Sequence, residues 1–255
     1  GVFSRNHEFH TSMLMYMTDG KAQDIFEVKP KMKTLLAYYI TGIAANEKFA
    51  ARIERLTFLD LMKKLYDNDG DAVIPVLNAE EDELYSSYLN IIKDYRGIDQ
   101  LERKEAVALK WLNNKVKGGV IQLNKNKGNL PFLYHSFKRT IHLDRVEEGK
   151  IYLVYKMETE GSIEENPLGE TLLNEAILSK HEKDYEEIIE TRSKKIIEKM
   201  QKEYQVDLLG VREFLYKYYP RLFESISDDF TEYFEKDILI DVEAKVRIRR
   251  IGKTK

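Results

Sequence analysis

The chain has 255 residues, of which 43% are apolar, 33% charged and 11% aromatic, with only 13 Gly and 5 Pro. These proportions exclude low-complexity, collagen-like and disordered classes, and the length allows one or two packed cores. Forty-one basic residues against 44 acidic ones give a net charge of −3, without the basic excess of a nucleic-acid-binding domain, so no nucleic acid partner is expected. Cysteine is absent, which removes disulfides, thiolate metal sites and cysteine nucleophiles.

The longest mostly apolar run, Leu35 to Ala45, has 11 residues, where a bilayer-crossing helix needs about 20. Gly1 to His7 has no signal-peptide pattern. The chain therefore reads either as cytoplasmic or as one whose address label has been removed.

Ser12 to Tyr16 suggests a strand, closed by the turn sequence Thr18-Asp19-Gly20. Helical spacing of apolar residues runs through Lys31 to Arg55. Thr57 is placed to cap a second helix, Phe58 to Tyr66, with Asp60 in its first turn. Asp67-Asn68-Asp69-Gly70-Asp71 ends that helix, and Ala72 to Leu77 follows as an extended piece broken by Pro75. The charge run Ala79 to Glu83 marks a boundary, giving a first region of residues 1–83, a helical pair with short strands, and a second of residues 84–255.

In the second region, Tyr88 to Lys93 reads as a strand and Leu101 to Val116 as a helix. Lys117-Gly118-Gly119 releases that helix into an extended Val120 to Leu123, with glycine at the C′ position. Phe132 to Leu143 and Ile151 to Met157 form further strands joined by a turn at Glu147 to Lys150. From about 169 to 204 one long amphipathic helix is expected. Leu173, Ile177, Tyr185, Ile188, Arg192, Ile196 and Met200 line its buried side; Glu182, Glu186, Glu187, Glu190 and Lys194 lie on its wet side. A further helical stretch, Val211 to Tyr218, stops ahead of Pro220. In the last strand Ile240, Val242, Ala244, Val246 and Ile248 alternate with charged residues, the antiparallel habit. The fold class is α+β: antiparallel or mixed sheets with packed helices.

Signatures of chemistry are sparse. His7 and His10 lack the spacing of a zinc-protease motif. The loop Asp67 to Asp71 fails as a calcium loop, because Leu65 and Val76 stand where end carboxylates are required. His181 reads as a structural histidine at a helix–sheet contact rather than a general base, and His135 and His142 have no carboxylate at a catalytic spacing. No nucleophile elbow, phosphate loop or dinucleotide fingerprint is present. No enzyme activity, catalytic residue, metal or cofactor is expected. The basic end, with Lys245, Arg247, Arg249 and Arg250, has two readings. It is a surface for an acidic partner or anionic headgroups, or an edge strand protected by charge.

Several segments, in order along the chain, are similar to those of the Ger(x)C spore germination proteins, the C subunits of nutrient germinant receptors. Asp19-Gly20-Lys21-Ala22-Gln23-Asp24-Ile25 resembles the family's GKAKDIL segment, and Ala72 to Leu77 its PVLPVL segment. Trp111-Leu112-Asn113-Asn114-Lys115-Val116-Lys117-Gly118-Gly119-Val120-Ile121 resembles WLxxKVKGGVI, the most specific of the set. Asp207 to Gly210, Tyr218-Tyr219-Pro220 and Val246 to Gly252 resemble DIFG, KYP and VKIRRTG.

The resemblance implies a lipoprotein on the outer face of the spore inner membrane that works with integral-membrane A and B subunits in nutrient-triggered germination. It also implies an N-terminal lipobox and a first region that this sequence lacks. The expected function is non-enzymatic, through protein–protein contacts. The alternative is an extracytoplasmic small-molecule-binding module that senses the germinant directly.

Overall fold

The computed structural model describes residues 12–28, 38, 40, 42, 55–80, 83–116, 118–125, 128–167, 172 and 174–251, without the side chains of 80, 87, 250 and 251. They fall into two compact units, one holding the described residues up to Ala106 and the other those from Val107 onward.

The first unit contains α1 (Ala22–Glu27), α2 (Phe58–Asp67) and the strands β1 (Ala72–Glu80), β2 (Glu83–Lys93) and β3 (Arg96–Leu101), in a wholly antiparallel sheet of order β1-β2-β3. Thr57 caps α2 as its sequence position requires. Its hydroxyl accepts the Asp60 N–H at 3.1 Å, and the Asp60 carboxylate accepts the Thr57 N–H at 3.2 Å, a reciprocal capping box. Leu56, Leu61, Ala72, Ile74 and Ile92 form the core beneath α2.

Two expectations change in this unit. Pro75 does not break β1. The Met17 N–H bonds the Pro75 carbonyl, and the Met17 carbonyl accepts from Leu77, so the imino nitrogen of Pro75 faces the outer edge, where β2 needs no donor. The strand expected at Ser12 to Tyr16 is reduced to two isolated bridges, Leu14 to Thr57 and Met17 to Val76, because the segment passes from one partner to another. At the boundary expected near residue 83, Glu80 of β1 pairs with Glu83 of β2. Of the helix expected over 31–55, only Tyr38, Ile40, Gly42 and Arg55 are among the described residues; the first three are helical and Arg55 is not. His7 and His10 lie outside the described residues.

The second unit is built on a four-stranded sheet of order β4-β5-β6-β7: Gly119–Lys125, Gly128–Glu147, Lys150–Ile163 and Ile238–Ile251. Glu148 and Gly149, at φ 51° and 79°, make the two-residue turn between β5 and β6, the backbone that right-twisted hairpins favour. β7 lies parallel to β6, contrary to the antiparallel expectation. Its alternation reflects one uncovered face at the end of a sheet, which either strand direction permits.

α3 (Arg103–Leu112) ends earlier than expected, at Asn113-Asn114. Asn114 adopts φ 53°, a left-handed position that asparagine tolerates, so the glycines are not its cap. α4 (Glu175–Glu198) is capped by Asn174 and passes into a π-helical turn, Lys199–Tyr204, so the two together run from 175 to 204. Its buried positions include His181, Tyr185, Ile189, Ser193 and Ile197, a spacing of four, and the expected Ile188 and Arg192 are only half-buried. The short helices α5 (Val211–Tyr218), α6 (Pro220–Glu224) and α7 (Phe230–Lys236) lead into β7.

Candidate functional site

The basic end is part of a charge-alternating sheet face. Odd-numbered residues of β7 from Asp241 to Arg249 are exposed, and register sets Lys245 opposite Glu158, itself opposite Lys138 of β5, and Arg247 opposite Glu160. Arg249 Nε donates to Glu160 at 2.9 Å, Lys156 meets Glu243 at 3.5 Å, and Lys245 meets Glu186 of α4 at 3.1 Å. Cross-strand pairs of opposite charge stabilise such a face modestly. Lys245 and Arg249 are therefore neutralised by acids contributed from β6 and α4, which the local sequence could not show. Arg247 has no ion-pair partner among the described residues. The side chain of Arg250 lies outside them.

Beside this face runs a ladder that sequence reading assigned to water. Ala244, Val246 and Ile248 donate their backbone N–H groups to Glu190, Glu186 and Glu182 at 2.9, 3.0 and 2.9 Å. The geometry follows from two repeats. Residues four apart on a helix advance about 6 Å, and alternate residues on a strand advance about 6.6–6.8 Å. A helix antiparallel to β7 therefore meets every second edge N–H with a carboxylate. An open strand edge invites pairing with other chains, and here three of its donors are taken. The available signal was the i, i+4, i+8 spacing of glutamates opposite a strictly alternating strand.

The most specific sequence motif packs rather than reacts. Trp111 is fully buried, stacks on Phe137 at 5.9 Å between ring centroids, and donates its indole N–H to the Tyr134 hydroxyl at 3.4 Å. Burial pushes the Tyr134 phenol up to about 12, against the pull of the Trp111 hydrogen bond. Asn113 donates to the Leu208 carbonyl at 2.8 Å, and the Asn114 side chain accepts the Arg139 N–H at 2.9 Å. Arg139 also donates to the Leu112 carbonyl and lies over the Tyr155 ring; burial pushes its guanidinium below the ordinary value. A side chain at Gly119 would meet the Tyr134 hydroxyl and its Cζ, the latter at 2.7 Å. Gly119 is needed for this close approach.

The Asp207 motif is a second structural clasp. Its carboxylate accepts the backbone N–H groups of Leu209, Gly210, Val211 and Arg212 at 2.6–3.2 Å, satisfying donors at the start of α5. Burial pushes this carboxyl above the usual range, while the N–H groups of Arg212, Val211 and Leu209 pull it down. Tyr155 closes the clasp by donating its hydroxyl to the Leu209 carbonyl at 3.1 Å.

The histidines also find structural neighbours. His181 is buried and lies 3.5 Å from Asp184, which meets Lys125 of β4 at 2.8 Å. His135 Nε2 meets the Ser162 hydroxyl at 3.0 Å, and that hydroxyl donates to Glu164. Here the acid binds the serine rather than the second imidazole nitrogen, so it does not orient the ring as a relay requires. His142 meets Thr140 at 3.1 Å on the wet face. The Asp67–Asp71 loop is a helix-ending turn in which Asp71 accepts the Asp94 N–H at 3.2 Å. Among the described residues no group of three His, Asp or Glu side chains is placed to hold a metal ion, and no helix is long and apolar enough to cross a membrane.

Residues 88–252 match the family model described as "Spore germination B3/ GerAC like, C-terminal", and residues 1–79 match "Spore germination protein N-terminal domain". Two relatives come from Bacillus subtilis (strain 168). Spore germination protein KC is 26% identical over 97% of this chain and 66% of its own length. Spore germination protein A3 is 24% identical over 98% of this chain and 67% of its own length. The chain thus spans about two thirds of the length of these relatives. A solved structure titled "Crystal Structure of the GerBC protein" shares the fold, with a TM-score of 0.76 at 18% identity over 96% of this chain and 72% of that one.

Proposed function

Since the chain belongs to the GerAC-like family of spore germination proteins, we propose that it is a non-enzymatic subunit of a spore germinant receptor, acting in nutrient-triggered germination through protein contacts. Its partners in this reading are the receptor's integral-membrane A and B subunits. Its place is the outer face of the spore inner membrane, held by an N-terminal lipid anchor borne by the full-length protein. The observation that carries the reading is the match of both family models, in order, over nearly the whole chain. The wet face of β5, β6 and β7 supports it. This face is broad, rich in both charge signs and crossed by paired rows, which favours recognition of a partner with a matching charge pattern.

Arg247 is the group on that face best suited to a test, because reversing it breaks no ion pair among the described residues. Spores carrying Arg247→Glu, alone and with Arg249→Glu, should yield less A and B subunit on co-purification and germinate more slowly. The purified double variant should unfold at nearly the same denaturant concentration as the parent, since its one ion pair is exposed. Unchanged receptor assembly and germination would remove this surface from the proposal.

A further inference from the structure

The glutamate ladder stops before β7 does. Even-numbered residues of β7 turn their backbone groups outward, as Ala244, Val246 and Ile248 show, while the Asp237 carbonyl before the strand faces β6 and accepts from Ile151. Four residues beyond Glu190 on α4 stands Lys194, which pairs with Asp241 at 2.8 Å, and the Val242 N–H turns to the Asp241 carboxylate at 2.9 Å. The next rung would join Glu198 to the Ile240 N–H. It is not formed, and the π turn begins at the next residue, Lys199.

A groove of about 350 Å³ opens there, with Ile197, Glu198, Gln201, Lys202, Ile238 and Ile240 in its walls. Gln201 is 8% exposed and donates through Nε2 to the Phe234 and Ile238 carbonyls at 2.6 and 2.7 Å. Both amide protons are committed, and a flipped amide would set oxygen against two carbonyl oxygens. The orientation is therefore fixed, and Oε1 remains as an acceptor. Lys202 donates to the neutral Glu235 carbonyl. Glu198 makes no ion pair among the described residues. Lys194, Asp241, Glu235 and Lys236 also line the groove, but Lys194 and Asp241 pair with each other, Glu235 accepts from Gln205, and Lys236 pairs with Glu232. The groups left to a ligand are two donors, the Ile240 N–H and the Lys202 ammonium, and two acceptors, Gln201 Oε1 and the Glu198 carboxylate. The volume lies at the small end of ligand pockets.

We propose that this groove binds a small zwitterion, its carboxylate taken by the Ile240 N–H and Lys202 and its ammonium by Gln201 and Glu198. The ligand completes the missing rung, and Ile197 and Ile238 border its aliphatic part. The site stands apart from the receptor-assembly reading, since binding to the isolated chain decides it whether or not the partner contacts hold.

The test is a titration of the 15N-labelled chain with glycine, β-alanine and γ-aminobutyrate, which vary the distance between the two charges. The Ile240 amide and Gln201 side-chain resonances should move saturably with at least one of them. They should move little with propionate or propylammonium, each of which has one charge only. Glu198→Gln and Lys202→Met, both at exposed positions, should each weaken binding about tenfold, the effect of losing roughly 1.4 kcal/mol. No saturable shift, an equal response to the single-charge probes, or unchanged binding in both variants would overturn the proposal.

Discussion

One Glu186 carboxylate oxygen accepts the Val246 backbone N–H at 3.0 Å and lies 3.1 Å from the Lys245 ammonium. A single helical side chain thereby closes one unit of the β7 edge and neutralises the cation beside it. A hydrogen bond to a charged partner contributes about 1.5–3 kcal/mol net. Glu186→Ala should lower unfolding stability by about 2 kcal/mol, measured as a fall in denaturant midpoint at unchanged slope. Glu186→Gln keeps an acceptor and should lose less.

Removing Glu182, Glu186 and Glu190 together should expose three N–H groups in a row, a template for strand pairing. The triple alanine variant is expected to self-associate, visible by sedimentation velocity as a concentration-dependent larger species. A triple variant that stays monomeric at high concentration would mean the edge needs no such cover.

Gly119 and Tyr134 give a steric prediction. A methyl at Gly119 collides with the phenol of Tyr134, and overpacking of this kind costs about 1–3 kcal/mol. Gly119→Ala should destabilise by that order. Tyr134→Phe alone leaves the buried Trp111 N–H without its acceptor, itself a loss of about 1–3 kcal/mol. The double variant should fall somewhat short of the sum, because the hydroxyl, one of the atoms the methyl meets, is already removed, while the ring carbon Cζ at 2.7 Å remains. Strictly additive losses would show that the ring carbons rather than the hydroxyl set the limit at Gly119.

Local signals in the sequence located the elements whose causes are local. The Thr57 cap, the Glu147–Lys150 turn, the long helix and the alternation of β7 each follow from residues within a few positions of one another. The job of the α4 glutamates depends on a strand 54–66 residues away in the chain, and the direction of β7 on its pairing with the more distant β6, so no periodicity within any one element reveals them. The same holds for the basic end. Lys245 and Arg249 look unopposed in sequence because Glu186 and Glu160 arrive from other elements. His181, by contrast, was legible as a buried helix–sheet residue from Tyr185 one turn along the same face.

The buried tyrosines make alkaline pH a probe of the second unit. Burial raises the Tyr134 phenol from 10.0 to about 12, and burial raises those of Tyr155 and Tyr185 as well. An acid whose folded pKa is raised favours folding while it stays protonated. The stabilisation is intact below the unfolded value near 10 and is lost as pH rises toward the folded values. Phenolate absorbance should therefore show an early phase from exposed tyrosines and a late one coincident with loss of circular dichroism. Ionisation of every tyrosine near pH 10 with the fold intact would contradict the buried placement.

Asp207 should be the costliest single polar residue of the second unit to truncate. Its two oxygens serve four backbone donors at the entry to α5, and Leu209 within that turn is the acceptor for Tyr155. Losing a helix cap costs about 0.5–2 kcal/mol. Donors left buried without partners add to that, each unsatisfied group costing about 1–3 kcal/mol. Asp207→Ala should therefore lower stability by roughly 3 kcal/mol, and Asp207→Asn by less, because one amide oxygen still accepts. Hydrogen exchange separates the local effect from the global one. In Asp207→Asn the amides of residues 209–212 should lose protection while those of β5 and β6 keep theirs. Protection lost evenly across the sheet would mean that Asp207 holds the whole unit rather than the start of α5.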